Sequence, residues 1–255
     1  MKINKVVLVC FSPTGGTEHV AELLAERLGL EIEKTDIHAR CPRRSFGPDE
    51  LAIFAFPVYG GRIPAPVYEH IKELRGENTP AFMLAVYGNR AVDDANLEMA
   101  DLAEEKGFVC IGGAEFITRH SVDVSYGSGR PDGEDLKLMD ELAEKLKEKL
   151  SSADKPEHIE LPGSRPYTQY GGIPIKPSGK KSACIKCGKC VSHCPAGAIS
   201  ADTPFKTDKK KCISCMGCIS ICPSGARYIS APFRLAGRLS LKKLCSERQN
   251  PQYYI

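Results

Sequence analysis

Residues 184–195 read Cys184-Ile-Lys-Cys187-Gly-Lys-Cys190-Val-Ser-His-Cys194-Pro195, and residues 212–223 read Cys212-Ile-Ser-Cys215-Met-Gly-Cys218-Ile-Ser-Ile-Cys222-Pro223. Eight of the twelve cysteines sit in these two copies of C-x2-C-x2-C-x3-C-P. A cubane 4Fe–4S cluster offers four iron corners, each needing one thiolate. Three cysteines on a tight C-x2-C-x2-C loop wrap three corners of one cube. The fourth, turned away by the following proline, ligates the other cube. The spacing therefore predicts one cluster on Cys184, Cys187, Cys190 and Cys222, and a second on Cys212, Cys215, Cys218 and Cys194. Zinc ribbons use separated cysteine pairs rather than triplets ending in Cys-Pro, and a disulfide framework belongs to a different class of chain.

The two runs share more than cysteines. Ile185 and Ile213, Ser192 and Ser220, Gly197 and Gly225, and Ala198 and Ala226 repeat at a period of 28 residues. Residues 180–230 thus resemble the dicluster ferredoxin family. The resemblance implies a small α+β domain with pseudo-two-fold symmetry, two short hairpins and two short helices, folded around its clusters.

At 255 residues the chain has room for two domains. Its hydrophobic content of 42% and charged content of 26% are those of a soluble globular protein. No apolar run approaches the ~20 residues of a membrane helix, and residues 6–11 are too short for a signal-peptide core. Labile clusters without an export signal point to the reducing cytoplasm. The charge is uneven. Residues 176–255 carry 15 Lys and Arg against 3 Asp and Glu, whereas residues 1–175 carry 20 against 29. Dicluster ferredoxins are usually acidic, so the basic half departs from that family. It suits docking on the acidic half or on an acidic protein redox partner. Nucleic-acid binding lacks a supporting aromatic–basic motif.

The first half alternates strand and helix patterns. Strands are expected over 5–11, 31–37, 51–56, 81–86 and 108–117, the last interrupted at Gly112-Gly113. Helices are expected over 17–28, 65–74, 93–106 and 135–150. Five strands separated by helices predict a doubly wound parallel sheet, an α/β fold. The loop after the first strand, Ser12-Pro13-Thr14-Gly15-Gly16-Thr17, opens a helix. Backbone N–H groups there attract an anion, and hydroxyls can donate to phosphate oxygens. It holds no P-loop lysine and no Rossmann glycine pattern. A hydroxyl-rich loop without a basic residue suits a buried monophosphate.

Ser12-x-Thr14-Gly15-x-Thr17 resembles the flavodoxin phosphate loop for FMN. The resemblance implies that the isoalloxazine ring lies between the loops Pro57-Val58-Tyr59-Gly60-Gly61-Arg62 and Tyr87-Gly88-Asn89-Arg90. The chain has no tryptophan, so Tyr59 and Tyr87 are the available stacking aromatics. The plainer reading makes both ordinary turn residues. His120, after the fifth strand, is a candidate proton donor or simply a polar strand-end residue. His193 is expected to face solvent. Cys10, Cys41, Cys110 and Cys245 fall outside ligand spacing, and Cys10 and Cys110 read as inert core.

The layout divides into 1–155 (flavodoxin-like, FMN-binding), 156–179 (a proline-rich, extended linker), 180–230 (the ferredoxin-like domain with two 4Fe–4S clusters) and 231–255 (a basic tail). The tail carries a weak amphipathic stretch over Leu235, Leu239, Leu241 and Leu244, expected to pack on the first domain. The whole resembles the flavodoxin–ferredoxin fusion proteins of anaerobes. It implies electron transfer between the clusters and FMN, with protein redox partners. A flavin-dependent reductase of a small acceptor and an iron–sulfur redox sensor are the alternatives.

Overall fold

The computed structural model describes residues 1–40 and 42–255; Cys41 lies outside the described residues. The elements of the first half run β1 (Lys5–Cys10), α1 (Gly16–Leu28), β2 (Glu31–Asp36), β3 (Arg44–Phe46), β4 (Glu50–Pro57), α2 (Ala65–His70), β5 (Leu74–Gly76), β6 (Thr79–Tyr87), α3 (Ala95–Glu104), β7 (Phe108–Ile117) and α4 (Gly133–Ser152). β2, β1, β4, β6 and β7 lie side by side in that order, all parallel. Numbered among themselves, these five strands have the order 2-1-3-4-5 of a doubly wound flavodoxin-like sheet.

Period-two alternation explains the two layers. Val7, Val9, Phe54 and Phe56 point to the face covered by α2 and α3. Val6, Leu8, Leu51 and Ile53 point to the face covered by α1 and α4. Both faces are dry, so the central strands read as continuous apolar runs. Each buried Leu, Ile or Phe contributes about 1.5–3 kcal/mol. α1 stops at Gly29, which adopts φ 68°. α4 starts with a capping box: Asp132 accepts from the N–H groups of Glu134 and Asp135, and Asp135 accepts from the N–H of Asp132.

Three features differ from the sequence expectation. α2 ends at His70 instead of residue 74, giving way to β5, which pairs with β3 beside the main sheet. β7 is continuous through Gly112-Gly113; the irregularity is a one-residue shift around Ile111. The sheet also gains a sixth strand, β10 (Gln252–Tyr254), antiparallel to β7. It comes from the tail.

The second half runs β8 (Ser178–Gly179), α5 (Lys189–Ser192), α6 (Gly217–Ser220), β9 (Arg227–Tyr228), α7 (Ala231–Cys245) and then β10. The period of 28 is visible in the backbone. Lys186 and Ser214, Gly188 and Met216, and Gly197 and Gly225 each pair a positive φ with a positive φ. The Lys180 N–H donates to the Ala226 carbonyl, and its repeat mate Asp208 donates to Ala198. Neither expected hairpin is formed: β8 and β9, from opposite ends of the domain, pair as a short antiparallel ribbon, and the equivalent contact in the other half is the single Asp208 bond.

The linker is extended and tied down. Ile159 donates to the Cys110 carbonyl, and Leu161 is buried in the core. Asp94 accepts from the N–H groups of Ser164 and Thr168. Arg165 pairs with Asp101 on α3, and the Arg62 guanidinium lies over the Tyr167 ring.

The tail packs on the first domain through a different face of α7 than its leucines suggest. Gly237 and Cys245 point inward, while Leu235, Leu239 and Leu244 stay more than half exposed. Beyond the helix, Asn89 fastens the chain. Its Nδ2 donates to the carbonyls of Cys245 and Glu247, and its Oδ1 accepts from Gln249. Asn89→Ala removes three hydrogen bonds at a buried site. It should lower stability by about 2–3 kcal/mol, measured by urea unfolding, and should open residues 246–255 to limited proteolysis.

Candidate functional site

The loops at the carboxyl ends of β1, β4, β6 and β7 converge where an open α/β sheet binds its ligand. They surround a cavity of about 420 Å³, within the usual size of a small-molecule or cofactor site. The first loop is divided in its roles. Thr14 and Thr17 line the cavity. The Ser12 hydroxyl instead accepts from the Glu18 N–H and stabilises the start of α1. Gly15 takes φ 83° at the N-cap, and the first N–H groups of α1 have no intrahelical acceptor. Gly16 lets the loop approach Thr118, just past the end of β7. Pro13 faces the other way, toward the second domain.

From β4, Pro57, Val58, Tyr59 and Gly60 line the cavity. Tyr59-Gly60-Gly61-Arg62 closes as a tight turn, with Tyr59 and Arg62 exchanging backbone hydrogen bonds and both glycines at positive φ. Gly61 turns away from the cavity toward Asp93. From β6, Tyr87, Gly88 and Arg90 reach the cavity. Asn89 does not, because its side chain holds the tail. The His120 ring lies against Gly88, where a Cβ would come within 2.4 Å of its Cδ2.

The sequence reading missed the roof. Ile173, Pro174 and Ile175 of the linker, and Phe233, Gly237 and Leu241 of α7, also line the cavity. Gly237 sits so close to Ile175 that a Cβ would approach its Cδ1 to 2.5 Å. The sequence signal was the small-residue pair Ala236-Gly237 inside an otherwise amphipathic stretch.

The cysteines gather into two groups. Cys184, Cys187, Cys190 and Cys222 line one small cavity; Cys194, Cys212, Cys215 and Cys218 line another. Among the described residues, no three His, Cys, Asp or Glu side chains converge as a single metal ion would require. Four thiols spread around a cavity suit a polynuclear cluster better than zinc. Backbone N–H groups of Ala198 and Ser214 point at the sulfurs of Cys194 and Cys212, at 3.2 and 3.4 Å. Burial pushes the Cys215 thiol up to about 12, so the thiolate there depends on a cationic partner. Arg227, buried at the edge of the first cavity, donates to Cys218 Sγ at 3.6 Å on the second. Its repeat mate is Ile199, so this cation has no counterpart in the other half.

The second cysteine group lies against the first domain. His193, expected in solvent, donates from Nε2 to the Pro13 carbonyl at 2.9 Å. Its own carbonyl accepts from His38 Nε2 at 2.8 Å, and the two imidazoles stack with centroids 4.3 Å apart. Gly217 opens α6 directly against the same carbonyl; a Cβ there would lie 2.8 Å from the Pro13 oxygen. Ile213 packs on the core of the first domain, and Ser214 Oγ donates to the Ile173 carbonyl. Burial above all, then the neighbouring Cys215 and Tyr170, raises the Tyr59 phenol well above its usual range. Charge plays no visible part in this contact. Among the described residues, no ion pair involves residues 176–230; the ion pairs fall within residues 5–165 and at Arg248.

Cys10 and Cys110 are thiols that burial pushes up, Cys110 to about 12. Cys245, the last residue of α7, is buried.

Residues 183–226 match the family model described as a 4Fe-4S dicluster domain. No match was found among the curated proteins. Among solved structures, rubredoxin oxygen:oxidoreductase from Desulfovibrio gigas is similar at 17% identity and a TM-score of 0.40. The match covers 58% of this chain and 36% of that one. Two-electron reduced flavodoxin from Megasphaera elsdenii gives 16% identity and a TM-score of 0.37, covering 55% and 98%. A flavodoxin from Streptococcus pneumoniae gives 19% and 0.37, covering 57% and 97%. At this level the fold assignment rests on the strand order itself.

His120 has one nitrogen committed. Its Nδ1 accepts from the N–H groups of Val122 and Asp123, at 3.1 and 3.4 Å. In the neutral ring, Nε2 therefore carries the proton. Burial lowers its pKa, opposed by Asp123. A histidine that is harder to protonate folded than unfolded contributes stability above the unfolded pKa of about 6.5, and that contribution is lost as pH falls below it. Stability should therefore decline from pH 7 to pH 5. His120→Gln should flatten that decline, measured by urea midpoints across the range.

Proposed function

We propose that the flavodoxin-like domain and the dicluster domain joined to it work as one electron carrier, holding FMN and two 4Fe–4S clusters in line. The observation that supports this most is the double role of the first loop. Thr14 and Thr17 line the cavity, and Pro13 of the same loop touches His193 and Gly217 of the cysteine runs. A cluster held beside that contact would be separated from the cavity by one loop and by Tyr59.

Each group of residues has a part. Cys212, Cys215, Cys218 and Cys194 would hold the inner cluster; Cys184, Cys187, Cys190 and Cys222 would hold the outer one. Thr14, Thr17 and the first N–H groups of α1 would bind the FMN phosphate. Tyr59 and Tyr87 supply aromatic faces, and Gly60 and Gly88 leave room beside them. When bound, the clusters exchange single electrons and FMN accepts one or two. Residues 173–175 and α7 add an apolar roof to the cavity. His120 Nε2 is the proton-bearing atom at its wall. Clusters of this type need a reducing compartment, and the cytoplasm is the proposed location.

Two experiments test this reading. Thr14→Ala should weaken FMN about tenfold or more, since a hydrogen bond to a charged group is lost. Riboflavin affinity should stay nearly unchanged; equal weakening would move the phosphate elsewhere. Cys222→Ala should reduce iron from about eight to about four per chain. With a low-potential protein donor, flavin bleaching should slow markedly in that variant. Bleaching at the wild-type rate would remove the outer cluster from the route.

A further inference from the structure

The internal repeat has two equivalent faces, and the molecule uses only one. In the second run, residues 213–217 are covered. Ile213 packs on the first domain, Ser214 is fully buried and bonded to Ile173, and Cys215, Met216 and Gly217 are buried. Gly217 rests on Pro13. In the first run, residues 185–189 are the same surface related by 28 residues, and none of the described residues covers it. Ile185 is 65% exposed, and Lys186, Cys187 and Lys189 are exposed.

The two faces differ in charge. Ser214 and Gly217, the neutral residues at the covered face, correspond to Lys186 and Lys189 at the open one. Lys180 and Lys181, a few residues earlier in the chain, are exposed too. No Asp or Glu occurs between Lys176 and Ala201. None of these four lysines is in an ion pair among the described residues. The first domain, although acidic, therefore leaves this charge unneutralised.

We propose that residues 185–189 are a docking face for a small acidic protein that carries single electrons, and that this partner sits on the outer cysteine group as the flavodoxin-like domain sits on the inner one. The proposal rests on the electron-carrier reading. Ile185 supplies the apolar centre and the lysines a positive rim, the usual anatomy of a transient interface. One electron leaves the partner's reduced centre and enters the cluster on Cys184, Cys187, Cys190 and Cys222; no proton or bond is exchanged. The lysine rim favours a carboxylate-rich partner and repels a second copy presenting the same face.

The test uses the full, cluster-loaded chain and a reduced acidic dicluster ferredoxin as probe. Cluster bleaching and flavin bleaching are followed separately in stopped flow. The wild-type cluster rate should fall with rising salt. The double variant Lys186→Glu/Lys189→Glu should slow cluster bleaching about tenfold or more at low salt. Lys209→Glu/Lys210→Glu, a reversal of equal size at exposed lysines elsewhere on the domain, should leave it nearly unchanged. Ile185→Ser, which leaves every charge in place, should slow it about fivefold through the lost apolar contact, and it keeps the test decisive if charge reversal disturbs the iron content. Equal slowing by both lysine pairs, or wild-type rates in both Lys186→Glu/Lys189→Glu and Ile185→Ser, would overturn the docking face. A wild-type dimer that dissociates on charge reversal, seen by sedimentation, would make the occupant a second copy and likewise overturn it. If the clusters bleach rapidly but the flavin does not, the carrier reading fails and the docking face stands.

Discussion

The carbonyl of Pro13 is the hinge of the architecture. It accepts the His193 Nε2–H at 2.9 Å, and the start of α6 lies close enough to it that residue 217 has to be glycine. A single backbone oxygen thus fixes the distance between the loop that lines the cavity and the cysteine group of the second run. Nearby, His193 returns a bond to the first domain by accepting from His38.

Cavity and interface are also closed by segments that come from far along the chain. The linker delivers Ile173–Ile175, and α7 delivers Gly237 and Leu241. The tail then returns to the sheet as β10 and is held by Asn89. The first domain therefore depends on the last residues of the chain for its sixth strand and for the roof of its cavity. Arg248, paired with Asp132 at the start of α4, adds an ion pair to the same closure.

Charge does less between the domains than the opposite signs of the two halves suggest. Surface attraction is weak and screened, whereas the interface has a half-buried apolar contact at Ile213 and hydrogen bonds at Pro13 and Ile173. The positive charge of the second domain is left for solvent or a partner. Inside that domain Arg227 answers a different need. A buried cation without a carboxylate partner is costly, and eight thiolates holding two clusters would supply the negative charge it lacks.

The amino-acid sequence alone determined the strand series, the hydroxyl-rich loop and the grouping of cysteines by spacing. These are local signals: a strand in a covered sheet is an apolar run, an anion loop opens a helix, and three of the four cysteines in each group are close along the chain, the fourth coming from the other run. The tertiary structure decided the rest. Asn89 looked like a cavity residue because it follows Tyr87-Gly88, but the tail, 156 residues away, claims its side chain. His193 looked solvent-facing because nothing near it in sequence could bury it; Pro13, 180 residues away, does. Leu235 and Leu239 looked like the packing face of α7, yet the cavity roof needs small residues for close approach, so Gly237 faces inward and the leucines face out. The period of 28 alone did not say which of the two repeat faces is covered, although Lys186 and Lys189 stand where the covered face has Ser214 and Gly217. That choice follows from where the linker and the first loop happen to meet, a long-range fact that spacing and periodicity do not carry.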